Sequence, residues 1–213
     1  MAANIAQAER RALCDLFDEL GPDAPTLCEG WATRDLAAHL AVREGRPDAA
    51  PGVLIPAFAG YTQKVREQLA ALPWPVLVER IRTGPPALSV FRLPGLDAKA
   101  NLGEFFIHHE DVRRAQPGWA PRDADGERYR ALEGSLMRIG RFLLRKSPVT
   151  VRLDPGTGQP FVARASRNKG GVTVVGTPDE LALWCYGRED VARVELIGDE
   201  ADIEALLGSA RGF

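Results

Sequence analysis

Two of the three histidines in this 213-residue chain stand side by side, in the stretch NLGEFFIHHEDVRRAQPGW at residues 101–119. On a helix, residues four apart share a face and residues seven apart nearly do. Glu104, His108 and Asp111 therefore stack along one side, with Phe105, Val112 and Ala115 close to it. His109 is five positions from Glu104 and points elsewhere. The third histidine, His39, lies between Leu36 and Leu40 in TRDLAAHLAVRE, on a stripe that should also face inward. A charge brought inside without a partner is costly, and a divalent cation shared by His39, Glu104 and His108 would supply one. Two imidazoles and one carboxylate, with further positions open to water, suit zinc of the catalytic type. The same donors suit ferrous iron, so ligand type alone leaves the metal open.

Each residue also has an ordinary explanation. His39 alone reads as a hydrogen-bonded core histidine. Glu104 and His108 alone read as a partly exposed pair worth about a few tenths of a kcal/mol. Asp111 could pair with Arg113 or Arg114 on a solvated face. Convergence favours the metal: the third ligand comes from a second helix, and both faces are inferred independently to be buried. Arg43, one turn after His39, could face the cavity and bind an anionic substrate or thiol carboxylate, or make a surface ion pair. Cys28, in TLCEGWAT, reads as a small buried filler, with a thiol near the site as the alternative. Trp31 reads as an anchor for that loop. Arg113 and Arg114 are expected at the solvent or at a domain contact. The stretch DPGTGQP lacks the Lys-Ser/Thr of a phosphate-binding loop and reads as a turn. No residue is assigned as a catalytic group, and no Ser-His-Asp arrangement is available because every histidine lies in the metal-like segments.

Helices must position these residues. Hydrophobic spacing predicts one over 3–20, stopped by Gly21. A second spans 33–45, with Thr33 as N-cap and Asp35 in its first turn. A third covers GYTQKVREQLAAL, a short one 75–83, and two longer ones 98–116 and 125–146. Pro47, Pro51 and Pro56 mark a loop, and TGPPALSVFRLPG is irregular. After Pro148 the period changes to alternation in PVTVRLD, PFVARAS, GVTVVG and ARVELIG. Residues 168–171, Asn-Lys-Gly-Gly, read as a hairpin turn. TPDELALWCYG reads as a helix with Pro178 at its first position, and DEADIEALLGSA as the last helix. The expected class is α+β: a helical bundle over 1–147, then a small α/β domain over 148–213.

Composition narrows the partners. The net charge is −2 with both signs interspersed, and no long basic run invites nucleic acid. No apolar run could span a bilayer or serve as a signal peptide. Three widely spaced cysteines do not form a disulfide framework, which points to the cytoplasm.

The stretches TLCEGWATRDLAAHLAVRE and NLGEFFIHHEDVRRAQPGW resemble the two signature segments of the mycothiol-dependent maleylpyruvate isomerase family. That family belongs to the DinB-like metal-binding four-helix bundles, and the nearer likeness is to an actinobacterial metal-binding subgroup. The resemblance implies a DinB-like bundle followed by a small α/β domain. It places His39, Glu104 and His108 as metal ligands and Asp111 as the residue that orients His108. It implies a divalent ion, zinc ahead of nickel or iron, and a thiol cofactor, mycothiol, whose sulfur attacks the substrate. The expected activity is a thiol-dependent isomerase or S-transferase on a small electrophile, in a monomer or homodimer. A metal-dependent hydrolase and a non-enzymatic metal-binding protein remain the alternatives.

Overall fold

A computed structural model describes residues 5–46, 48–49, 55–85, 96–167 and 170–212, with backbone alone for 56 and 96–100. Pro47, Pro51, most of TGPPALSVFRLPG, Asn168 and Lys169 lie outside the described residues. The elements in order are helices α1 (Ile5–Leu20), α2 (Thr33–Gly45), α3 (Ala59–Ala70), α4 (Trp74–Thr83), α5 (Leu96–Arg113) and α6 (Gly126–Leu143). Strands β1 (Thr150–Asp154), β2 (Phe161–Arg164) and β3 (Gly171–Val175) follow, then α7 (Pro178–Cys185), β4 (Glu195–Ile197) and α8 (Glu200–Leu207). The class is mixed helix and sheet. Among the described residues no helix is long and apolar enough to cross a membrane.

The chain divides into two compact units, Met1–Pro121 and Arg122–Phe213. The change of hydrophobic period near Ser147-Pro148 thus falls inside the second unit. Helix α6 packs on β2 and α7 and belongs with the sheet. Gly140 of α6 faces Ala163 of β2 so closely that a Cβ there would stand 3.2 Å from the alanine Cβ. Arg128 of α6 donates to Asp179 of α7 at 2.8 Å.

In the first unit, α1 packs along α5 and α4, and α2 against α3 and α4. Leu13 and Phe17 of α1, Leu36 and Leu40 of α2, Leu77 of α4 and Phe105 of α5 are fully buried together. Each such side chain contributes roughly 1.5–3 kcal/mol of transfer free energy. Helix α1 stops where expected: Gly21 takes φ +77° and its N–H returns to the Phe17 carbonyl at 3.0 Å. Helix α2 keeps its expected span but not its expected cap. Ala32 is the N-cap, and the Asp35 carboxylate accepts from the Ala32 N–H at 3.2 Å. Thr33 is already helical, and its hydroxyl donates to the Gly21 carbonyl at 2.6 Å. The loop before α2 is fastened at both ends. Thr26 Oγ1 donates to the Trp31 carbonyl at 2.8 Å and accepts the Cys28 N–H at 3.1 Å. The Leu27 N–H donates to the Asp111 carbonyl of α5 at 3.0 Å. That last bond holds Cys28 beside the C-terminal turns of α5.

The sheet of the second unit runs β2-β1-β3-β4, with β1 antiparallel to β2, parallel to β3, and β3 antiparallel to β4. Strand β1 lies between β2 and β3, so β2 and β3 do not form the hairpin that the composition of residues 168–171 suggested. DPGTGQP is a turn as expected: Asp154 Oδ1 accepts the N–H groups of Gly156, Thr157 and Gly158 at 3.0–3.1 Å. Pro178 opens α7 after Thr177, also as expected.

Candidate metal centre

Helices α2 and α5 bring His39, Glu104 and His108 together. Glu104 Oε1 stands 3.1 Å from His39 Nε2 and 3.4 Å from His108 Nε2. The imidazoles meet edge to face, with centroids 5.4 Å apart. All three donor atoms lie within 4.8 Å of one another. Donors about 2.0–2.1 Å from a tetrahedral zinc stand about 3.3 Å apart, so the two Glu104 separations match two edges of such a polyhedron. The donor set fits a divalent ion. All three side chains keep a small exposure, between 12 and 17 %, which leaves a way in for an ion and a ligand.

The surroundings fix both imidazoles. Asp111, fully buried, holds His108 Nδ1 at 2.9 Å through its Oδ2. With its proton kept on Nδ1, His108 can turn a lone pair on Nε2 toward the cavity. The Trp31 ring stands 5.3 Å from the His39 ring and covers one side of it. Arg43 Nε lies 3.4 Å from Glu104 Oε2, and its Nη1 donates to Asn101 Oδ1. Arg43 is therefore a neighbour of the centre and not a surface ion pair.

Electrostatics sort the protonation states of the metal-free site. Burial lowers the His39 pKa, and the Glu104 bond recovers only part of that, so His39 is neutral at pH 7. Burial pushes the Glu104 carboxyl up, but bonds from His108 and His39, with the Arg43 charge, outweigh it and hold it well below the ordinary value. Burial pushes His108 down, but Asp111, Cys28 and Glu104 outweigh it and hold its pKa well above the ordinary value. The metal-free centre thus carries an imidazolium beside a carboxylate, and a cation would replace that proton.

Two solved structures share this architecture, both of a mycothiol-dependent maleylpyruvate isomerase and one of them a histidine-to-alanine mutant. Their TM-scores are 0.58 and 0.57 at 14 % identity, with 90 % of this chain and 90 % of each of those chains covered. The chain has the maleylpyruvate isomerase fold. No family model and no curated protein sequence matches it.

Within the isomerase fold, the structure sorts the remaining sequence expectations. His109 points away from the centre, as its spacing required, and its Nδ1 meets Glu9 Oε2 of α1 at 2.8 Å. Cys28 is not a buried filler. It is partly exposed, with Sγ donating to Asp111 Oδ2 at 3.3 Å and standing 3.9 Å from His108 Nδ1. Cys28, His108 and Asp111 form a second group of metal-capable donors that shares His108 with the first. Arg114 is buried rather than solvent-facing: it bonds Glu110 at 2.6 Å and covers the Trp119 ring. Arg113 pairs with the same Glu110 at 2.8 Å. Sequence reasoning missed Asn101, Glu44 and Arg10. Asn101 donates to Glu44 Oε1 at 2.9 Å while accepting from Arg43, and Glu44 is held by Arg10. The available signal was Arg10 at helical spacing from Leu13 and Phe17, a charge on a stripe that must be buried.

Asp111→Ala is expected to lower zinc affinity about 10- to 100-fold, the usual effect of removing a carboxylate that orients a histidine ligand. Competition against a chromophoric chelator measures it. An unchanged affinity would mean that Asp111 does not orient His108.

Proposed function

We propose that this chain is a divalent-metal-dependent enzyme of the mycothiol-dependent maleylpyruvate isomerase family, acting as an isomerase or S-transferase on a small electrophile with a low-molecular-weight thiol. The single observation that carries the reading is the convergence of His39, Glu104 and His108 within 4.8 Å. The shared fold supports the thiol part of it. The reading keeps the DinB-like helical bundle and small α/β domain of the family, with zinc as the first choice of ion and nickel or iron as substitutes. An ion held by the two Nε2 atoms and Glu104 would supply the Lewis acidity that turns a thiol, mycothiol in the family, into a thiolate at neutral pH.

The chain's own residues prepare that chemistry. Asp111 keeps His108 in the ligating tautomer. Arg43, itself bonded to Asn101, holds the Glu104 carboxylate in place from behind, so a donor need not reorganise when an ion arrives. Trp31 shields His39 from water. The hydrolase alternative needs a base close to the ion. Asp111, its one near candidate, is fully buried and already bonded to His108 and Cys28.

The test is a thermal-shift series on zinc-loaded protein with mycothiol, glutathione and 2-mercaptoethanol. Mycothiol is expected to raise Tm in a concentration-dependent way, because a ligand bound only by the folded state stabilises it by mass action. The shift is expected to vanish once the zinc is stripped. An equal absence of response to every thiol, with zinc bound stoichiometrically, would rule out the thiol-dependent reading.

A further inference from the structure

We propose that Arg66, laid on Trp31, binds the carboxylate of a small anionic ligand that reaches the metal centre. The inference rests on the metal- and thiol-dependent reading and names the charge of what enters. Sequence spacing pointed to Arg43 for this task, but the Arg43 guanidinium is spent inward on Glu104 and Asn101. Arg66 differs. Its guanidinium carbon lies 4.4 Å over the Trp31 ring, and among the described residues it has no hydrogen-bond or ion-pair partner. The nearest carboxylate along α3, Glu67, takes its bond from Gln63 at 2.7 Å instead. Arg66 is half-buried, and the ring that carries it is the ring that packs on His39. The free cation is thus two ring contacts from a metal ligand.

A guanidinium stacked on an aromatic face keeps its in-plane N–H groups available and loses little further freedom on pairing. Those groups match the two oxygens of a carboxylate, and such a pair is stronger than a neutral hydrogen bond. An ordinary surface ion pair is weak because two long side chains must be immobilised. Here the indole has already immobilised one of them. The carboxylate could be carried by the thiol or by the electrophile, and the experiment separates the two.

Isothermal titration of zinc-loaded protein with 6-mercaptohexanoate and with 6-mercaptohexan-1-ol compares one thiol with and without the charge. Adipate, titrated in the presence of saturating mercaptohexanol, supplies carboxylate without thiol. Wild-type protein is expected to prefer the thiol acid over the thiol alcohol about tenfold, the scale of one charge-assisted pair, or to bind adipate. Arg66→Gln is expected to erase that preference while zinc content and affinity for the alcohol stay unchanged. Arg66→Lys is expected to restore only part of it. A preference confined to the thiol acid assigns the carboxylate to the thiol, and adipate binding assigns it to the electrophile. A preference that survives Arg66→Gln, or equal binding of acid and alcohol without adipate binding, would overturn the proposal. Failure of both thiols to bind would overturn the metal–thiol reading itself, and this inference with it.

Discussion

Glu104→Ala protein is expected to lose its zinc through purification, where wild-type protein keeps about one ion per chain. Glu104 is the hub of the centre: its Oε1 faces both imidazoles, and its Oε2 faces Arg43. Removing it takes away the one anionic donor and leaves two imidazoles beside an arginine. The expected fall in affinity is about 1000-fold or more, beyond the roughly 10- to 100-fold that follows loss of a residue that only orients a ligand. Glu104→Gln keeps an oxygen but no charge, so it should fall between. His39→Ala and His108→Ala should also lose the ion.

The pH dependence of zinc binding has a definite sign. The His108 pKa is raised in the metal-free protein, so an incoming ion must displace a proton at neutral pH. Lowering the pH through that raised value should weaken binding, and zinc uptake should release protons into a weakly buffered solution. Glu104 stays ionised throughout, because its pKa is held well below the ordinary carboxylate value. Elemental analysis, chelator competition and proton-release measurements check these points together. Stoichiometric zinc in Glu104→Ala would move the site to Cys28, His108 and Asp111, and Cys28→Ala would then release it.

The second large effect concerns stability. Glu44→Ala is expected to cost about 3–5 kcal/mol, because it removes the carboxylate that compensates the buried Arg10 charge. Arg10 and Glu44 are each about 5 % exposed and meet through two hydrogen bonds, one at 2.6 Å. Arg10 also donates to the Ile81 carbonyl at 3.0 Å and stacks 4.2 Å over the Phe105 ring. Asn101 shares the Glu44 carboxylate, so the loss reaches Arg43 and weakens metal binding as a smaller second effect. Urea denaturation gives the free energy, and thermal melts should show a fall of roughly 10 °C or more. The double variant Arg10→Met, Glu44→Leu should recover most of the stability, since an apolar pair pays no desolvation cost. A single substitution costing under about 1 kcal/mol would show that the pair is effectively solvated.

Much of this was readable before any coordinates. Helices α1 and α2 ended within two residues of their expected bounds, because Gly21 and the apolar periods mark them plainly. The Glu104–His108–Asp111 face needed only the helical period, and His109 was set aside by the same geometry. What failed shares a cause. Cys28 looked inert because nothing local says that a loop residue meets α5; the Leu27–Asp111 bond does that across more than eighty residues. Residues 168–171 looked like a hairpin turn because turn composition is local, whereas the pairing of β3 with β1 is not.

By itself, then, the sequence determined the helices, the face each one buries, and the donor types on those faces, since all three follow from a period of 3.6 and from side-chain chemistry. Only the tertiary structure decided which faces meet. It set His39 against Glu104, spent Arg43 on Glu104 and Asn101, placed α6 in the second unit and laid Arg66 on Trp31. The reason is that pairing between distant segments depends on the summed packing of whole helices, and no short stretch of residues carries that sum.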